Sequence, residues 1–193
     1  PDDPWKKLKI AETEDIILAC AGLWLDALAS GPSIVAGDSL AVTLTAVNRS
    51  DEPIRIRTWS MNVPGVRWEE AIELDPLVQR TSTMSGRVPT TTIMTQPHWL
   101  AAPHESFRYV IPDAEMIGRA EGDPAFRAIV DLEVRGMTIR RFVPVRYRRI
   151  DPVDGEVYRP VFVTTPVHIS FSDPVLVFTS SAPRTLTVNV SAV

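Results

Sequence analysis

Hydrophobic residues stand at every second position from Leu40 to Ala46, with Leu40, Val42, Leu44 and Ala46 set against Ala41, Thr43, Thr45 and Val47. This two-residue period, rich in β-branched side chains, predicts a strand. The larger aliphatics place the even set inward. A second alternation, Leu23, Leu25 and Ala27 against Trp24, Asp26 and Leu28, predicts a strand that Ser30-Gly31-Pro32 breaks, with a turn over Ile34–Ser39. Asn48–Pro53 ends the long strand, and Ile54, Ile56 and Thr58 begin a third, alternating with Arg55 and Arg57. Only residues 5–21 carry a helical period: Ile10, Ile17 and Cys20 or Ala21 recur opposite Glu12, Glu14 and Asp15, and Gly22 is a suitable stop. So short a helix needs something to pack on, either the β body or an upstream domain.

Residues 60–105 lose any period. Pro64, Pro76, Pro89, Pro97 and Pro103 punctuate them, and Thr81–Thr95 is rich in Ser, Thr and Met. A stretch of this length is expected to hold short strands or an ordered functional loop. Strands are expected again from Phe107, Tyr109 and Ile111 to Pro112-Asp113, then over Ala125–Val134 and Met137–Arg148. Arg135-Gly136 is the clearest hairpin turn in the chain. Asp151–Glu156 reads as a turn and Pro160–Phe171 as extended. Val175–Phe178, Ser180–Arg184 and an alternating Leu186, Val188, Val190 close the chain.

These elements predict a mostly β protein: an immunoglobulin-like β-sandwich with a short N-terminal helix and the first strands of a second β domain. The expected division is 1–21 for the helix, 22–150 for the sandwich with its irregular insertion at 60–105, and 151–193 for a linker and the strands of a truncated second sandwich. The chain opens at Pro1 without a methionine, as expected of a segment of a longer protein.

Composition excludes several classes. Of 193 residues 45% are hydrophobic and 23% charged, an ordinary globular balance, and no apolar run reaches the roughly 18 residues of a membrane span. A net charge of −4 removes the basic footprint of nucleic-acid binders. One cysteine, Cys20, allows no disulfide within the chain and no cysteine zinc site, and its apolar neighbours predict a buried, inert thiol. Three histidines, His98, His104 and His168, leave little for a metal centre. Pro1-Asp2-Asp3 reads as a tail. Asp151, Asp154 and Glu156 lack calcium-loop spacing, and no glycine-rich phosphate loop or nucleophile–base pair is present, so no catalytic residue, no metal ligand and no cofactor is assigned.

Two groups remain. Arg140, Arg141, Arg146, Arg148 and Arg149 crowd one strand, and a solvated face paired with carboxylates is preferred over an anion or partner patch. Tryptophan supplies a flat apolar face with one N–H, suited to stacking on sugar rings. Trp24 and Trp59 fall in predicted strands and are assigned to the core. Trp68 and Trp99, in the irregular region, become the candidate carbohydrate-binding residues together with His98.

Two stretches carry a family resemblance. One is Gly22-Leu23-Trp24-Leu25-Asp26-Ala27, then Val35–Leu40 and Val47-Asn48-Arg49-Ser50. The other is Gln96-Pro97-His98-Trp99-Leu100, Pro144–Arg148 and Asp151–Pro160. In this order they resemble the region C-terminal to the catalytic domain of long bacterial PIG-L (LmbE-like) deacetylases, over about residues 6–193. That family removes N-acetyl groups from N-acetylglucosamine-type substrates with zinc. Its Ala-His-Pro-Asp-Asp run and distal His pair are both missing here, so none of its catalytic residues carries over. The resemblance implies a non-catalytic accessory module acting as spacer or docking surface, with weak carbohydrate binding. Its partner would be the upstream catalytic domain of the same parent chain, and zinc would belong only to that domain. It also implies an exported bacterial protein, periplasmic or extracellular. The competing readings are part of a hydrolase site completed by another domain, and a protein-interaction module using the arginine face.

Overall fold

A computed structural model describes residues 3–69, 71–104, 106–111, 113–173, 175–177, 182–183 and 185–192. Helix α1 (Pro4–Cys20) begins where Asp3 accepts a hydrogen bond from the Trp5 amide at 3.0 Å, with Pro4 in the first turn. It ends at Gly22, whose φ of 65° takes the chain out through the left-handed region. Leu18 is its one buried residue, with Ile17 packed against the core. Ile10 and Cys20 are both exposed, which corrects the expected apolar face and the expected buried thiol. The apolar residues of this helix are scattered around its circumference, so the one turn that touches the sheet buries only its neighbours there.

Thirteen strands lie among the described residues: β1 (Leu23–Ala29), β2 (Ser33–Val35), β3 (Ser39–Asn48), β4 (Ile54–Met61), β5 (Arg67–Trp68), β6 (Ile72–Leu74), β7 (Gln79–Arg87), β8 (Arg127–Val134), β9 (Met137–Asp151), β10 (Gly155–Pro160), β11 (Phe162–Thr164), β12 (Val167–Phe171) and β13 (Val188–Ala192). The protein is mostly β, built on one curled open sheet in the order β5-β4-β8-β9-β1-β3-β7, with β6 on β4 and β10 on β9. Strand β9 joins its two wings. From Met137 to Pro144 it pairs antiparallel with β8. From Arg146 to Asp151 it pairs with β10, and Val145 and Arg146 meet β1 in parallel. The β8 ladder ends at Pro144, which has no N–H to give it.

The curl brings β4 in one wing against β7 at the far edge of the other. The indole N–H of Trp59, fully buried on β4, donates to the Ser82 hydroxyl on β7 at 3.3 Å. On β7, a Cβ at Gly86 would lie 2.0 Å from Val66 Cγ2, so only glycine lets the loop after β4 close over this strand. Both wings fill one core. The even residues of β3, Leu40, Val42, Leu44 and Ala46, are buried as expected, with Ile54, Ile56, Val130, Leu132, Ile139 and Val145 from the other strands. Asn48 is buried but satisfied. Its side-chain amide donates to the carbonyls of Glu52 (2.8 Å) and Leu74 (3.2 Å), and its carbonyl accepts from the Ser50 amide (3.1 Å).

Several expectations shift. Ile34 and Val35 lie in β2, where a turn was expected, and β2 pairs in parallel with β11. The irregular region holds β5, β6 and the nine-residue β7, which pairs along the whole of β3. Residues 106–111 form no strand. Phe107, 101% exposed, alternates with Tyr109 and Ile111, and among the described residues the segment shows an isolated bridge at Arg108 rather than a strand. Trp24 is half-buried rather than core, with the Arg49 guanidinium 5.8 Å from its ring. Arg135 and Gly136, at φ 49° and 78°, form the anticipated hairpin turn. The Val175–Phe178 and Ser180–Arg184 readings, like Pro1-Asp2, lie partly outside the described residues.

The chain stays with the main body beyond residue 151: β10 extends β9, and Val161 and Val163 are buried. No described residue after Val163 is buried, and β12 and β13 pair with each other as a separate two-stranded sheet. A chain ending at Thr165 is therefore expected to keep the cooperative melting midpoint of the full chain in calorimetry. A drop of several degrees would assign the tail to the core.

Candidate functional site

The most enclosed chemistry lies where β9 changes partners. Asp26 on β1 is buried, its side chain 3% exposed, and Arg146 Nη2 on β9 donates to its Oδ1 at 2.8 Å. The parallel contact of Leu28 with Arg146 brings the two strands together there. The Arg146 guanidinium lies over the Tyr158 ring of β10, 4.4 Å from its centroid, within reach of a cation–π attraction. The Tyr158 hydroxyl donates to Glu156 at 2.9 Å, and Glu156 meets Arg148 at 3.2 Å. The Tyr158 hydroxyl first, then the Glu156 charge, hold the Arg148 guanidinium more firmly protonated than usual. Arg146 thus has its plane fixed from both sides, by a buried carboxylate and by an aromatic face.

Arg146 and Tyr158 form one wall of a cavity of about 480 Å³; Trp99 and Pro97 face it from a loop, and Pro124 and Phe162 close its sides. That loop is pinned at Thr95, whose amide donates to the Val163 carbonyl (2.9 Å) and whose hydroxyl accepts from the Val163 amide (2.9 Å). Pro97 then starts a 3₁₀ turn, His98–Leu100, closed by the Leu100 amide on the Pro97 carbonyl. Residues 120–125 are held on the other side by Asn62, whose amide donates to the Ala125 carbonyl at 2.9 Å and whose carbonyl accepts from the Arg127 amide at 2.8 Å.

Of the three residues proposed from sequence, Trp99 lines this cavity. His98 sits beside it, its ring edge-on to Trp99 at 4.9 Å, with Nδ1 buried and unpartnered among the described residues. Trp68 is not brought to the cavity. It lies on β5 opposite Trp59 and packs partly against the core. Asp26, Arg146 and Tyr158 had no signal as a group, because a parallel contact across 120 residues of sequence joins the first two. Their one trace was the alternation that put Arg146 and Arg148 on a single face.

All five arginines of the crowded strand are paired: Arg140 with Asp131, Arg141 with Asp15, Arg146 with Asp26, Arg148 with Glu156 and Arg149 with Asp151. The paired, solvated face read from sequence is the one present. No group of three or more His, Cys, Asp and Glu among the described residues is placed to hold a metal ion. Among the described residues no helix is long and apolar enough to cross a membrane.

No protein-family model and no curated protein matches the chain. Among solved structures it is similar to the sporulation control protein Spo0M of Bacillus subtilis, with 11% identity and a TM-score of 0.37, over 64% of this chain and 49% of that one. It is also similar to the alkylpurine DNA glycosylase AlkC of Pseudomonas fluorescens, solved bound to DNA containing an abasic site analogue, with 11% identity and a TM-score of 0.30. That match covers 67% of this chain and 32% of AlkC, so the chain spans about half and a third of these two proteins. Neither likeness bears on function, and no comparison links the chain to PIG-L deacetylases.

The Asp26–Arg146 pair makes an asymmetric prediction. Arg146 is 40% exposed and can reach water alone, whereas Asp26 cannot. Arg146→Met should therefore cost about 3 kcal/mol by leaving a buried carboxylate without its partner, and Asp26→Asn only about 1 kcal/mol, both read by urea unfolding at pH 7. A second prediction concerns Asp131. The paired hydrogen bonds from Arg140 (2.7 and 3.0 Å), aided by the Thr58 hydroxyl, hold its carboxyl below the usual range. A folded value below the unfolded one gives stabilisation that is complete above about pH 3.9 and is lost as pH falls through the folded value. Asp131→Asn should lower the urea midpoint at pH 7, and its gap from the unmutated chain should narrow steadily below about pH 4.

Proposed function

We propose that this chain is a non-catalytic carbohydrate-docking β module. What carries the reading is the cavity itself: Trp99 and Tyr158 supply aromatic faces, and Arg146 supplies fixed N–H donors, the combination that holds a ring with one apolar face and a hydroxyl edge. Among the described residues the cavity lining contains no histidine or cysteine, and the Tyr158 hydroxyl is engaged by Glu156.

In this reading the two wings of the curled sheet form an immunoglobulin-like sandwich, and β12 and β13 begin a second β domain. The parent is a PIG-L-like N-acetylglucosaminyl deacetylase, exported from a bacterial cell, whose zinc and catalytic residues belong to an upstream domain. Helix α1 offers that domain a surface, since Trp5, Leu8 and Ile16 are exposed apolar residues recurring along one side of it.

The test is titration calorimetry of the purified chain with neutral oligosaccharides of the chito and cello series. Saturable binding is expected, lost in Trp99→Ala with the melting midpoint unchanged, together with no acetate release and no stoichiometric zinc. Absence of binding across both series would overturn the carbohydrate reading. Acetate release by the chain alone would overturn the non-catalytic one.

A further inference from the structure

A second cavity, of about 350 Å³, lies between α1, β1 and β9, and its lining includes Trp24, Phe142, Pro144 and Arg146. Pro144 and Arg146 also line the first cavity, so the two are neighbours across one wall rather than separate sites. Phe142, Pro144 and Arg146 share one face of β9 by the two-residue period of a strand, while Val143 and Val145 on the other face are buried. Phe142 and Arg146 are four residues apart along an extended strand, about 13 Å. Trp99 lines the first cavity and Trp24 the second.

Resting on the carbohydrate reading, we infer that the ligand is a linear, uncharged oligosaccharide lying along the outer face of β9 across both cavities, with Trp99 and Phe142 as separate ring-stacking positions and Arg146 between them. A single sugar ring would use one cavity and leave the other aromatic row unused. The absence of charge follows from the pairing. Arg146 is offset by Asp26 and Arg141 by Asp15, and the rim of the first cavity adds Arg159, Glu121 and Asp123, the last paired with Arg119. An anionic chain would need cations that the groove has already neutralised, whereas hydroxyl groups need only donors and acceptors held in place. Phe142 is 54% exposed, with the Arg127 guanidinium 5.9 Å from its ring centroid, so a sugar would stack on the ring face that Arg127 leaves open.

The experiment is calorimetry of the full chain with two-unit and six-unit neutral oligosaccharides, and with a six-unit uronic-acid oligomer as the charged probe. The six-unit neutral chain should bind at least about tenfold more tightly than the two-unit one. Phe142→Ala should erase that gain while leaving two-unit binding intact, and Trp99→Ala should abolish both. Equal affinity at both lengths, or a Phe142→Ala variant that keeps the length dependence, would overturn the extended groove while leaving carbohydrate binding standing. Tighter binding of the uronic-acid oligomer would overturn the uncharged ligand. Failure of every neutral oligosaccharide to bind would remove the carbohydrate reading and this inference with it.

Discussion

The sharing of β9 between two wings is the constraint on which the rest of the structure depends. Its fifteen residues serve β8 with their first half and β10 with their second, and they meet β1 at the change. A proline inside a strand normally costs a ladder hydrogen bond. Here Pro144 occupies the residue at which the β8 ladder stops, so the missing N–H falls at the end of that ladder, before the pairing with β10 begins at Arg146. The next residue, Val145, returns its own amide to the Phe126 carbonyl at 3.0 Å and keeps the turn-over point anchored. With β9 fixed in both wings, the sheet can close its core only by curling, and the Trp59 to Ser82 hydrogen bond joins strands that are well separated in the sheet order.

The same switch point explains the position of the groove. A strand that changes partners leaves its outer face uncovered by either wing, and the loop at 95–100 and the segment at 120–125 rise on one side of it. The elements that hold these walls are short and specific: Thr95 on Val163, and Asn62 on Ala125 and Arg127. Arg146 is the residue common to fold and groove. Its pairing with buried Asp26 ties β1 to β9, and its stacking on Tyr158 ties β9 to β10. A ligand contact made through Arg146 would meet a donor whose direction is already set, which lowers the ordering cost of binding.

Much of the fold was legible wherever one face of a strand is buried and the other wet. The even residues of β3, the arms of the β8–β9 hairpin and its Arg135-Gly136 turn all follow from period and turn chemistry. β7 was not legible, because its inward face, Ser82, Met84 and Gly86, offers one large apolar residue rather than an apolar stripe. The Phe107, Tyr109, Ile111 alternation misled for the opposite reason, since a pattern fit for a strand forms one only with a ladder, and among the described residues this segment has just a single bridge at Arg108. In helix α1 the helix itself was legible and its buried face was not. Its spacing fixes which residues share a side, but which side meets the sheet is decided by the Asp15–Arg141 ion pair and Leu18, both set by tertiary structure. The candidate site divided in the same way. Trp99, conspicuous as an indole in an irregular region, lines the cavity. Trp68, in the same region, belongs to a small antiparallel pair over the core. Asp26 and Arg146 stayed hidden because each has an ordinary local reading, and only the parallel contact of β1 with β9 makes them one unit.

That contact also explains why a carboxylate can sit inside a small β core. An isolated buried aspartate would be strongly unfavourable, and a fully buried ion pair is often no better than an apolar substitute. Asp26 escapes both cases because its partner is only half withdrawn from water. The carboxylate is buried, while the guanidinium keeps part of its hydration and spends its apolar face on Tyr158. The desolvation cost then falls mainly on one ion, and the direction of the pair is set by strand register rather than by flexible side chains searching for each other. A lysine at 146 would keep the charge but lose the planar contact with Tyr158, and with it the fixed orientation of the donors at the centre of the groove. The arginine is therefore required twice at one position, once by the buried carboxylate behind it and once by the aromatic ring in front.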